Sequence, residues 1–185
     1  MAETSLSNPT TSGTLSGERA DLLAQLAEAR HFLRFTTREM SDEQLAAHPT
    51  PSELCLGGLV KHVTSCERGW TDFIREGKGK GTAMKDFDDM TEEDFARRAD
   101  DFQMQPGDTL AGILAAYDEV AARTDELIAT VPDLDATREL PAAPWNQETR
   151  WSFRRVLLHI IAETTQHAGH ADIIREAIDG AKTMG

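Results

Sequence analysis

An all-α fold, a four-helix bundle with one long crossover between helices two and three, follows from three observations on the sequence. Four long stretches carry apolar residues at alternating spacings of three and four, the period of a helix with one buried face. Each stretch is bounded by capping residues, glycine or proline. No segment shows convincing strand alternation, and there is no internal repeat. A chain of 185 residues, 39% hydrophobic and only 6% aromatic, suits one helical domain with a core large enough to fold without staples.

The first 15 residues, rich in Ser, Thr, Gly and Pro, predict a flexible tail before a bundle spanning residues 16–180. The first long helix starts near Ser16 and runs to about Met40, with Leu22, Leu26, Ala29, Phe32 and Leu33 on one stripe. Ser41 and Gln44 form a capping-box pattern for a short helical turn, which Pro49 and Pro51 end. The second long helix covers about Ser52 to Glu76, placing Leu59, Val63, Cys66, Trp70 and Phe73 inward. Gly77, Gly79 and Gly81 close it.

Residues 78–107 predict the crossover, with a short helix near Glu92–Ala99. Asp108 or Thr109 caps the third long helix, whose stripe includes Leu110, Ile113, Leu114, Tyr117 and Val120. A proline-rich connector leads to the fourth, from about Ser152 to Asp179, and Gly180 terminates it. Residues 181–185 read as a C-terminal tail.

The formal net charge of −13 argues against a phosphate-backbone partner, which needs a concentrated basic face. The loose cluster Lys78, Lys80 and Lys85 is followed at once by Asp86, Asp88 and Asp89. No nucleic-acid or membrane partner is therefore expected. The N-terminus has neither the basic nor the apolar region of a secretion signal, so a cytoplasmic location is expected. Cys55 and Cys66 on one straight helix would lie about 16 Å apart, too far for a disulfide.

The fourth long helix carries the informative pattern. Its stripe Val156, Ile160, Glu163, His167, His170, Ile174 and Ala177 has the spacing of an inward face, yet its middle three positions are titratable. Burying such groups costs several kcal/mol unless they are paired or bind metal. Imidazole with carboxylate suits zinc first, with nickel, iron or manganese as alternatives. Glu163 with His167, or His167 with His170, can share an ion, whereas Glu163 and His170 lie about 10 Å apart along the axis. His167 belongs to either pair.

His159, one turn before Glu163 but off the stripe, is placed to hydrogen-bond a ligand. On the second long helix, His62 falls beside the apolar stripe and is the natural third ligand. Gly57 and Gly58, one turn earlier, leave room for a close approach or an opening. Cys66 reads as a small core residue, a further ligand or a neighbour of the ligands. The alternative for the whole set is a hydrogen-bonded polar core with no ion.

The segments LGGLVKHVTSCERGWTDFIREG and WSFRRVLLHIIAETTQHAGHADIIREAIDG resemble the DinB/YfiT-like superfamily of metal-dependent four-helix bundles. The likeness is to the actinobacterial branch, similar to mycothiol-dependent S-transferases and maleylpyruvate isomerase. It spans about residues 16–180. Matched residue by residue, it implies His62, Glu163 and His167 as the metal ligands. Many relatives have histidine in place of Glu163, while the maleylpyruvate isomerases carry glutamate there. His170 falls where relatives often have glutamine, leaving it as ligand or as a neighbour of one.

The resemblance implies a transferase that activates a low-molecular-weight, mycothiol-like thiol for transfer to an electrophilic small molecule, in detoxification. A bound divalent cation would lower the thiol's pKa and present the thiolate. A thiol-dependent isomerase is the related activity, and a non-catalytic, metal-binding stress-response bundle is the alternative from another class. Relatives often pair as dimers, which leaves a homodimer open. Arg150 and Trp151, beside Arg154, read as walls of a pocket or as ordinary loop residues.

Overall fold

The computed structural model of the chain describes residues 15, 17–79 and 84–184. The expected N-terminal tail, Leu15 apart, lies outside the described residues, as do Ser16, Lys80, Gly81 and Gly185. The described elements are α1 Glu18–Phe35, α2 Asp42–Ala46, α3 Leu56–Glu76, a 3-10 turn at Phe87–Asp89, α4 Glu92–Asp100, α5 Leu110–Thr130, β1 Thr137–Glu139, β2 Arg150–Ser152 and α6 Phe153–Asp179.

Local chemistry sets the boundaries. Ser41 and Gln44 close a full capping box on α2, and Thr91 and Asp94 do the same on α4. The Thr109 and Ser152 hydroxyls accept from the N–H groups of Gly112 and Arg155, starting α5 and α6. Gly180, at φ 79°, ends α6 in the left-handed region.

Two expected ends move inward. α1 stops at Phe35 because Thr36 and Thr37 donate their hydroxyls back to Leu33 O and Arg34 O, at 2.7 and 2.8 Å. Arg175 then clamps the turn by donating to the carbonyls of Thr36 and Arg38. α3 starts at Leu56 and not at Ser52. The hydroxyls of Thr50 and Ser52 accept from the N–H groups of Ser52 and Leu54, which holds those residues in turns.

The connector after α5 contains a feature the sequence analysis did not expect, an antiparallel strand pair. Thr137 faces Ser152, Arg138 faces Trp151 and Glu139 faces Arg150. Strands of three residues are too short to display an alternating pattern. The carbonyls of Leu134 and Ala136 accept from Arg154 N and Phe153 N, so the connector serves the first donors of α6.

α1 packs on α6 and α5, and α3 packs on α5 and α6, closing a ring of four long helices. Side-chain pairings fix their directions. Thr71–Thr124 and Lys61–Asp108 make α3 and α5 parallel. Glu18–Arg154 and Thr36–Arg175 make α1 and α6 parallel. His62–His167 and Trp70–His159 run α3 antiparallel to α6. The order is up, down, down, up, which obliges the α3–α5 connection to travel the length of the bundle. That is the predicted crossover.

Two apolar clusters fill the interior, one around Trp70, Leu127, Val156 and Ile160, the other around Leu33, Leu59, Tyr117 and Ile174. At mid-height a polar layer lies between them. Buried Arg30 on α1 pairs with buried Glu67 on α3 and with Asp125 on α5, and Thr71 meets Thr124 at 3.1 Å.

The crossover lies tight against the start of α3. A Cβ at Gly58 would stand 1.9 Å from Phe102 O, and one at Gly57 would stand 2.1 Å from Met104 Sδ. The glycine pair therefore serves a close approach and not an opening. Lys61 fastens the same segment, donating to Gln103 O at 2.7 Å and to Asp108 at 2.6 Å.

No helix among the described residues is long and apolar enough to cross a membrane.

Candidate metal centre

The buried face of α6 is rotated slightly from the predicted stripe. Its buried positions include Leu157, Ile160, Thr164, Ala168, Ala171 and Arg175. Glu163, His167 and His170 are half-buried along one edge, and Ala177 is exposed. α6 lies between α1 and α3, so its centre line faces the bundle axis while this edge faces α3. Half-burial lowers the desolvation cost that the sequence pattern suggested, and it leaves the group accessible.

On α3, His62 stands opposite. One ligand atom each from His62, Glu163 and His167 all lie within 4.8 Å of one another. The His62 and His167 rings meet edge to face, centroids 4.7 Å apart. His167 Nε2 lies 3.6 Å from Glu163 Oε2. The side chains of Glu163 and His167 are 28% and 12% exposed, so the trio has an open side.

The electrostatics favour ligation. Burial, followed by the neighbouring His167, lowers the His62 pKa to about 4, so its ring is neutral and keeps a lone pair. Contact with His167, with further help from His159 and His62, holds Glu163 below its ordinary range, so it is a carboxylate. Two imidazoles and one carboxylate from two helices form a donor set that a divalent cation fits, with room for an exogenous group.

The other expected residues surround this trio at varying distance. His170 Nδ1 lies 3.4 Å from His167 Nδ1, but His170 contributes no atom to the close cluster. Its other side lines a small apolar cleft with Pro51, Leu54, Ile173 and Ile174. His159 Nε2 is 3.7 Å from Glu163 Oε1, beyond hydrogen-bond reach. Its ring meets Trp70 and Trp151 edge to face, with centroids 4.9 and 5.2 Å away. Burial lowers its pKa.

Burial, with Glu163 and Glu67 adding to it, pushes the Cys66 thiol up to about 12. It is therefore a protonated thiol beside the trio. Trp151 stacks on Trp70 at 5.1 Å and extends the wall past His159. Arg150 instead reaches out to the Thr137 hydroxyl and carbonyl, and Arg154 is paired with Glu18 and Asp135. Neither arginine has a guanidinium spare for the site.

Phe102 is the residue that sequence reasoning missed. Its ring stacks on His62 with centroids 3.9 Å apart and planes 21° apart. It sits in the aperiodic crossover, and its only advance sign was the Gly57–Gly58 pair against which it packs.

A family model described as mycothiol-S-transferase matches residues 21–180. None of the curated proteins matches the chain. Among solved structures, one described as the conserved protein of locus from Enterococcus faecalis superposes with a TM-score of 0.67. It is 12% identical, over 90% of this chain and all of that one, a likeness of fold alone.

Proposed function

Because this chain belongs to the mycothiol-S-transferase family, within the DinB/YfiT-like superfamily, we propose that it joins a low-molecular-weight thiol to an electrophilic small molecule. The observation that carries the reading is the half-open trio His62, Glu163 and His167. These three residues would hold a divalent cation, zinc first, with nickel, iron or manganese as alternatives. Such a cation lowers the pKa of a thiol at its open position, as it does for water.

The chain's own residues then do four things. His62 stays neutral at physiological pH and offers its lone pair without first losing a proton. Phe102 stacks on the His62 ring and fixes its plane. His159, lowered in pKa and 3.7 Å from Glu163, is a neutral base at the edge of the trio, able to take the proton that the thiol releases. Trp70 and Trp151 stack on one another and line that side of the site.

The sulfur attacks the electrophilic carbon and forms an S–C bond. In a displacement, the bond to the leaving group breaks and that group departs with the electron pair. In an addition to an activated double bond, the neighbouring carbon takes the pair and then a proton, and nothing leaves.

The nucleophile comes from outside the chain. Cys66 is protonated at neutral pH, and Cys55 is buried with its Sγ directed at Phe102 O. A detoxifying role in the cytoplasm, in a homodimer or a monomer, fits this chemistry.

The first test is elemental analysis of the purified protein beside His167→Ala. About one equivalent of metal in the wild type, lost in the variant, together with thiol conjugation that the variant lacks, supports the reading. Metal without conjugation by any small thiol would sink it, leaving the non-catalytic metal-binding bundle.

A further inference from the structure

Two cations around the site have no ion pair among the described residues: Arg155, which lies over the Trp151 ring at 4.9 Å, and Arg98 on α4. In α4, Arg97 pairs with Asp94, which also takes Lys85. Arg98, the next residue, has no hydrogen bond or ion pair among the described residues, in a chain whose net charge is −13. Phe102 follows Arg98 by four positions. α4 ends at Asp100 and tightens into a turn, with Asp101 N donating to Arg97 O and Phe102 N to Ala99 O.

Phe102 stacks on His62, and Arg98 lies one turn earlier in the chain. Its positive charge bears on both His62 and Cys66, which are themselves one turn apart on α3. Arg150 and Arg154, the arginines expected to meet an anion, are both engaged elsewhere.

We infer that Arg98 binds a carboxylate on one of the two reacting molecules, so the site selects an anionic substrate. This inference rests on the thiol-transfer reading for the identity of those molecules, but not for the presence of the anion site. A guanidinium gives a planar, two-pronged match to a carboxylate, and the rest of this acidic surface repels one. The carboxylate arrives on the electrophile or on the thiol, and either source meets Arg98 through the same chemistry.

The test has a binding arm and a kinetic arm. Benzoate and its neutral counterpart benzamide are titrated calorimetrically into metal-loaded and metal-free protein, and into Arg98→Gln and Arg98→Lys. The expected result is tighter binding of benzoate by wild type in both forms, by about fivefold or more. Arg98→Gln abolishes that preference, Arg98→Lys keeps part of it, and benzamide is unaffected. Because Arg98 is exposed, the melting temperature of both variants stays at the wild-type value.

In the kinetic arm, iodoacetate and iodoacetamide are each paired with 3-mercaptopropionate and with 3-mercaptopropionamide. Arg98→Gln raises KM with little change in kcat, and only for the reactant that carries the carboxylate. That pattern names the source.

Equal benzoate affinity in wild type and Arg98→Gln overturns the inference. Arg98-dependent benzoate binding with no conjugation in any of the four pairs upholds the anion site and brings down the thiol-transfer reading alone.

Discussion

The His62 ring is held neutral by its surroundings, and that has a measurable consequence. Its folded pKa of about 4 lies below its ordinary 6.5, so between those values the unfolded chain binds the additional proton. Stability of the metal-free protein therefore falls as pH drops from about 6.5 to about 4. Glu163, also lowered, adds loss in the same direction at the acid end. Thermal melts of metal-free wild type and His62→Gln should show a shallower acid slope in the variant. A slope unchanged by that substitution would show that other groups drive it. Under the proposed function, Cys66→Ala should leave metal binding and thiol transfer within about threefold of wild type, because a protonated thiol is neither nucleophile nor strong ligand. The grouping was legible from the titratable stripe on one helix and a facing histidine on another, while the choice of Glu163 over His170 came only from the family resemblance. Its half-exposure was not. Periodicity ranks positions around a helix but does not say how far the centre of the buried face sits from a given stripe, and here Thr164 and Ala168 lie nearer that centre than Glu163 and His167.

At the scale of elements, the meeting of α3 with the crossover governs the site. Gly58→Ala drives a Cβ into the backbone of Phe102, which cannot swing aside, and should cost about 1–3 kcal/mol. Gly57→Ala meets the end of a methionine side chain, which can move, and should cost clearly less. Chemical denaturation ranks the two, and the Gly58 variant should also lose metal affinity as Phe102 leaves the His62 ring. The long helices were readable, as were the ends set by Ser41, Ser152 and Gly180, with Thr109 one of two candidates, because these residues act through local hydrogen bonds and dihedrals. The late start of α3 and the β1–β2 pair were not. The first depends on Thr50 and Ser52 preferring turns, and the second on a connector folding back against the start of α6.

At the scale of the whole molecule, Arg30, Glu67 and Asp125 join three of the four long helices through one mid-height polar layer. Arg30→Ala would leave Glu67 buried without its cation and should cost about 3–5 kcal/mol. The pair Arg30→Met with Glu67→Leu should recover much of that, since replacing both charges removes the desolvation problem. Equilibrium unfolding of the single and double variants decides it, and equal losses would mean the layer holds register through contacts other than charge.

The donor trio has a further effect on the molecule as a whole, because His62 belongs to α3 while Glu163 and His167 belong to α6. An ion seated there acts as a reversible staple between two antiparallel helices. A free ion at a hundredfold excess over its dissociation constant adds about 2.7 kcal/mol of stability by mass action. Pulse proteolysis with and without a chelator should then show the stripped protein digested first. In a cell starved of the cation, the unloaded chains would be cleared by proteases, so that supply of the ion would set how much of this protein persists as well as how much of it works.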